Sequence, residues 1–293
     1  MSSKKISRLC SRIISSCENV PEIFKDGFKY SCLDYDNFPF SVCISEKDED
    51  EERYIQLIAL TEEGLFIFDM KNSGVRLTQY GYDNLILIKK TNSKDLSTIF
   101  VEGIIGERLF QSRIVFNNED MYIFNVLLEN MRLRGNIPET EQDQKEHNAY
   151  DLLKLGSLRH SDPRLYNYAA ESLLQHSAVK TIIFQKKLVH RTLKVIKKSL
   201  SKPHVMILTD DELIIIEEGR ANRKMPELNI EGSWYFIPIV NITSIEIVAN
   251  DNYTLTFTVM LKGNEEVKLV YDSTMRIQLE ELVRGAHTIY RQR

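Results

Sequence analysis

Two pairs of adjacent carboxylates, Glu62-Glu63 and Asp210-Asp211, and six scattered histidines are the residues of this chain that could do acid–base chemistry. Neighbouring acids can split the roles of proton donor and acceptor when their surroundings push their pKa values apart. Both pairs, however, follow a Leu-Thr and precede an apolar run, in "IALTEEGLFIFD" (58–69) and "ILTDDELIIIEE" (207–218). That pattern puts them at the tip of a β-hairpin, where acids are expected to be exposed and solvated. The histidines stand at 147, 160, 176, 190, 204 and 287, and no GxSxG, HExxH, glycine-rich phosphate loop or zinc-ligand spacing accompanies them. The expectation is a protein that binds rather than catalyses, with no metal site and no cofactor.

Charge gives the stronger signal. From Ser172 to Thr209 there is no acid, while Lys180, Lys186, Lys187, Arg191, Lys194, Lys197, Lys198 and Lys202 all fall inside the span. "SEKDEDEER" (45–53) has the opposite sign, with six acids against two bases. The net charge of the whole chain is −4, so any polyanion binding must come from a local patch and nucleic acid is not the expected partner. The candidate anion-binding residues are Lys186, Lys187, Arg191, Lys194, Lys197, Lys198, Lys202 and His204. The acidic candidates, for contact with a protein, are Asp48, Glu49, Asp50 and Glu51. A cationic cluster near a membrane attracts anionic headgroups with about 1 kcal/mol per residue, and an acidic protein surface suits it equally.

The elements that must position these loops occur twice. Leu60-Thr61 matches Leu208-Thr209 at an offset of 148 residues, and "YDNLILIK" (82–89) aligns with "IVNITSIE" (239–246) at 157. "STIFVEGI" (97–104) follows the pattern of "YTLTFTVM" (253–260), and "RIVFNNEDM" (113–121) aligns with "VKLVYDSTM" (267–275) at 154. Small drifts of this kind are what loop insertions produce. The strands alternate in a half-buried style, as Leu255, Phe257 and Val259 do against Thr254, Thr256 and Thr258. Each copy then ends on a helical stripe. Phe124, Leu127, Leu128 and Met131 form the first, and Met275, Leu279, Leu282, Ala286 and Ile289 the second. Neither stripe can be buried without a sheet to cover. The fold class expected is α+β: two antiparallel bent sheets or partial barrels, each closed by a C-terminal helix.

This order resembles the pleckstrin-homology (PH) superfamily, in particular its GRAM branch. The likeness is carried by "LTDDELIII", "FIPIVNITSIEI", "YTLTFTVML", "EVKLVY" and the last helix, and by "LTEEGLFIF", "YDNLILI", "STIFVEG" and "SRIVF" in the first copy. The chain departs from the family pattern in its closing helices, which have no tryptophan; the single one, Trp234, opens a strand. The resemblance implies a ligand contact in the loop between the first two core strands. It also implies a phosphoinositide pattern of a lysine late in the first strand and spaced basic residues at the start of the second. Here "TLKVI" (192–196) reads as that first strand, Lys194, Lys197 and Lys198 match the first part, and Lys202 with His204 matches the second.

Around the copies, residues 1–24 read as an amphipathic helix, because Ile6, Leu9, Cys10, Ile13, Ile14 and Cys17 share one helical face. Its basic, serine-rich look is also that of a mitochondrial presequence. Residues 25–133 and 178–293 are the two PH-like domains, with 134–177 a polar and then helical linker. Ser161-Asp162-Pro163 is a helix start. "LLKLGSLRHSDPRLYNYAAESLL" is similar to the helical segment after the PH-like domain of neurofibromin. Cys10, Cys17, Cys32 and Cys43 have no CxxC spacing and are expected as reduced thiols. The function expected is a cytoplasmic, peripheral-membrane adaptor. Its second domain docks on anionic lipid or an acidic protein and its first on a protein partner, and the sequence leaves the oligomeric state open. Two alternatives belong to other classes: a nuclear scaffold of the kind seen in histone chaperones with tandem PH-like modules, and a regulator of a small GTPase.

Overall fold

The structure is a computed structural model that describes residues 8–32, 38–47, 52–136, 154–174, 177–192, 196–219 and 231–292. It is α+β, with several antiparallel sheets, none closed into a barrel, and a few helices. Two compact units divide it: residues 1–85 with 92–135, and residues 86–91 with 136–293.

In the first unit, five strands run in the order β1 (Arg8–Ile14), β2 (Phe40–Lys47), β3 (Glu52–Leu60), β4 (Gly64–Lys71) and β5 (Gly74–Gly81). Every neighbour pair is antiparallel. β1 corrects the sequence reading, which made residues 1–24 a helix. Arg8 to Ile14 pair one by one with Lys47 to Ser41, and the backbone of Ser11 donates to Asp120 at 2.9 Å. A short isolated helix is marginal in water, whereas an edge strand finds its backbone partners ready on β2. The helix of this region lies later, as α1 (Glu22–Cys32), and buries Phe24, Phe28 and Cys32, four residues apart, on one face. That face joins a core with Leu57, Ala59, Phe66 and Phe68. The hairpin of β7 (Leu96–Ile105) and β8 (Arg108–Asn117) leads into α2 (Met121–Asn136). All four residues of the expected stripe, Phe124, Leu127, Leu128 and Met131, are buried, and Phe116 stacks on Phe124 at 3.8 Å between centroids.

In the second unit, α3 (Gly156–Ser161) and α4 (Pro163–Ser172) precede the sheets. Asp162 caps α4, its carboxylate accepting from the backbone of Arg164 and Leu165, both at 3.1 Å, with Pro163 in the first turn. One sheet has β9 (Val179–Gln185) at its edge, then β12 (His204–Thr209), β13 (Glu212–Glu218) and β14 (Gly232–Pro238). Beyond β14 lies Ile86–Thr91, the greater part of β6 (Leu85–Asn92). A three-stranded sheet of β15 (Ile242–Ala249), β16 (Thr254–Leu261) and β17 (Glu266–Asp272) follows. The chain ends in α5 (Arg276–Gln292), which buries Leu279, Leu282, Ala286 and Ile289.

The element order therefore repeats. β2 to β5, then β6 to β8, then α2 correspond to β9 with β12 to β14, then β15 to β17, then α5. A single 3-10 turn, Tyr82–Asn84 or Ile239–Asn241, joins the two strand groups in each copy. The repeated Leu-Thr closes the second core strand both times, and the threonine hydroxyl explains it. Thr61 Oγ1 accepts from the backbone N–H of Glu63 and Gly64 at 3.1 and 3.2 Å. Thr209 Oγ1 accepts from Asp211 and Glu212 at 3.2 and 3.0 Å. One hydroxyl thus satisfies two turn donors that the ladder leaves unpaired.

Candidate anion-binding ribbon

The basic span is an insertion between the first two core strands of the second unit. "TLKVI" is not the first strand: that strand is β9, which pairs with β12 from Gln185↔His204 to Val179↔Thr209. Between them a separate two-stranded ribbon rises, β10 (Leu188–Thr192) against β11 (Ile196–Ser201). Of "TLKVI" only the two ends are described: Thr192 closes β10, Ile196 opens β11, and they pair with each other across the ribbon. Its register sets Arg191 opposite Lys197 and His190 opposite Lys198.

The two feet of the ribbon are fixed by a facing pair of side chains. Gln185 on β9 is buried; its amide donates to the carbonyl of Lys186 at 2.8 Å, and its oxygen accepts from the backbone of Asp272 at 2.8 Å. Across the ladder, His204 Nδ1 lies 2.9 Å from the carbonyl of Lys202 and 3.2 Å from the Ser201 hydroxyl. Its ring meets Tyr271 edge to face at 4.7 Å. Burial pushes the His204 pKa below its ordinary value, against the opposing effects of the Lys202 carbonyl and Glu217. The neutral imidazole then holds its proton on Nδ1 and donates it to Lys202.

His204 is thus removed from the candidate ligands. It is 0 % exposed, because β12 is buried along its whole length, and a side chain that water cannot reach cannot meet a headgroup. Lys186, Lys187 and Lys202 are exposed around the feet. Lys194 and the side chains of Arg191, Lys197 and Lys198 lie outside the described residues, as do Asp48, Glu49, Asp50 and Glu51 of the acidic loop between β2 and β3. At the base of the ribbon Arg164 pairs with Glu218. Burial raises the Glu218 pKa first of all, Arg164 opposes the rise, and Lys187 adds to that opposition.

The carboxylate pairs differ from each other. Glu62 and Glu63 are exposed, as expected of turn acids. Asp210 and Asp211 are half-buried and hold the chain entering β9: Asp210 accepts from the backbone of Ala178 at 2.8 Å, and Asp211 from the Ser177 hydroxyl at 3.0 Å. Among the described residues no group of histidine, cysteine and acidic side chains is placed to hold a metal ion. No described helix is long and apolar enough to cross a membrane. Sequence reasoning missed Gln185, whose only signal is a polar residue at the end of an apolar strand, and Arg164, which reads as an ordinary surface cation of a helix. No protein-family model matches the chain, and no curated protein matches it either.

Proposed function

We propose that the chain is a non-enzymatic binding protein built of two PH-like modules, and that the second presents the β10–β11 ribbon to an anionic lipid surface. The repeated order of four strands, three strands and a closing helix supports the PH-like reading. The observation that carries the binding reading is the register of the ribbon. Arg191 stands opposite Lys197, and like charges directly opposed across a ladder destabilise it. A layer of anions relieves that repulsion. Gln185 and His204 would serve as the rigid base of the ribbon, with Lys186, Lys187 and Lys202 exposed around it and adding to the positive field. The acidic loop of the first module is the complementary site for a protein partner, which makes the whole an adaptor.

Sedimentation with vesicles containing anionic lipid, at low and physiological salt, tests this. Removing two lysines by Lys197→Glu with Lys198→Glu should weaken binding by at least about thirtyfold, at roughly 1 kcal/mol per cation. The remaining binding should fall with salt. Asp48→Lys with Asp50→Lys should leave it unchanged or strengthen it. Failure of the wild-type chain to sediment at either salt would overturn the lipid reading.

A further inference from the structure

The repeat makes one strand junction comparable with another that is not filled. In the second unit the outer edge of β14 is covered by Ile86–Thr91. Two cation–π contacts cross this junction, with Lys89 over Tyr235 at 4.7 Å and Lys90 over Trp234 at 5.4 Å. In the internal alignment, an offset of 157 residues carries β5 onto β14 and β6 onto β15, and the turns Tyr82–Asn84 and Ile239–Asn241 coincide under it. The fourth strand of one copy thus receives the fifth strand of the other. The same two positions recur as β5 and β15. Each stands last in the order of its sheet among the described residues.

Both edges have the properties of strands that accept another strand. β5 is eight residues long and has no proline. It leaves Val75 and Leu77 37 % and 40 % exposed, and β15 leaves Val248 52 % exposed. A long, exposed, apolar edge is a template for pairing unless it is blunted. Carrying the two contact pairs across by the 157-residue offset sets Ile247 against Leu77 and Glu246 against Thr78. Glu246 then lies diagonal to Arg76, within the reach of long side chains on one face. An apolar pair and an oppositely charged diagonal replace the two cation–π contacts.

We propose that β5 of one molecule pairs edge to edge with β15 of a second copy of this chain, repeating between molecules the junction that Ile86–Thr91 makes with β14. The contact joins two different edges, so it is heterologous. It leaves one free β5 and one free β15 on every pair, and association continues with concentration until a ring closes.

Sedimentation velocity of the full chain over a concentration series, without lipid, reads this independently of the membrane reading. The wild type should show a weight-average mass that rises with concentration. Leu77→Lys and Ile247→Lys each put a charge at one edge and should each remain monomeric. Mixed in equal amounts they retain one intact β15 and one intact β5 between them. The mixture should therefore reach about twice the monomer mass and stop there. Val248→Lys serves in place of Ile247→Lys if circular dichroism shows the latter misfolded. A wild type that is monomeric throughout the series, variants that associate like the wild type, or a mixture that stays monomeric would each overturn the proposal.

Discussion

Replacing Leu282 by alanine tests how the second unit is held together. Leu282 lies in the middle of α5 and is 0 % exposed, in line with Leu279 and Ala286, which are buried with it. The helix stripe meets β9, β12 and β15, so a truncated side chain leaves a hole walled by sheet on one side and helix on the other. Neither wall collapses easily, because the sheet is fixed by its ladders. Losing a buried leucine under such conditions costs about 2–5 kcal/mol, the transfer term and the cavity term together. The control is Glu280→Ala. Glu280 is half exposed and pairs with Arg276 at 3.6 Å along the helix surface, a contact worth under about 0.5 kcal/mol.

Urea unfolding followed by tryptophan fluorescence is the assay. The chain has a single tryptophan, Trp234. It is buried in the second unit with Tyr168 edge-on at 5.1 Å, so its emission reports this unit alone. With a slope of about 2 kcal/mol per molar urea, Leu282→Ala should lower the midpoint by about 1–2.5 M. Glu280→Ala should move it by less than about 0.3 M on the same slope. Equal midpoints for the two variants would refute the packing argument and show that the helix buries a different face.

Two other perturbations follow from the same geometry. Thr209→Val keeps the side-chain shape but removes a buried acceptor for two backbone donors, so it should cost about 1–3 kcal/mol. Thr61→Val, in a turn that water reaches, should cost less when followed by circular dichroism. His204 gives a pH dependence. Its folded pKa is depressed below the ordinary 6.5, so the unfolded chain binds the extra proton, and stability is lost as pH falls from about 6.5 towards the folded value. Glu218, with its raised pKa, acts in the opposite sense as its charge is neutralised. The contribution of histidine is therefore read as the difference between wild type and His204→Gln over that window, and parallel pH profiles would refute it.

The repeat was legible because its signal is local. A threonine that must satisfy two turn donors stands in the same place in both copies, and a helix that must bury a stripe shows it at spacings of three and four. Asp162 was legible for the same reason, since capping is settled within three residues. The N-terminal strand was not. Ile13 and Ile14 fit a helical stripe, yet only Ile14 is buried, Ile13 being 49 % exposed, and the choice of strand depends on an open edge of β2 some thirty residues away. His204 was misread because its neighbours in "HVMILT" look like any apolar strand. That β12 is buried depends on β9 and β13 beside it in the sheet and on α4 and α5 packed against it. The ribbon was not legible either: "TLKVI" reads as one strand, yet Thr192 ends β10 and Ile196 begins β11, and that "VKTIIFQ" is what pairs with "HVMILT" is a question of tertiary register.

The two copies differ where the backbone makes the fewest demands. At the hairpin after the second core strand, the chain must satisfy the same donors in both, and both use threonine. Between the first and second core strands nothing in the sheet fixes length or charge. There the first copy has a short acidic connection and the second a basic ribbon with its own ladder. A free loop of seven cations would lose much conformational freedom on meeting a surface. A ribbon whose feet are fixed by Gln185 and His204 has already lost part of it, because its backbone ladder is set. This is the physical reason to look for function in the ribbon rather than in the acids of the hairpin tips. The ribbon's ladder sets the basic positions Arg191 and Lys197 opposite each other, whereas Asp210 and Asp211 are occupied in holding the start of β9.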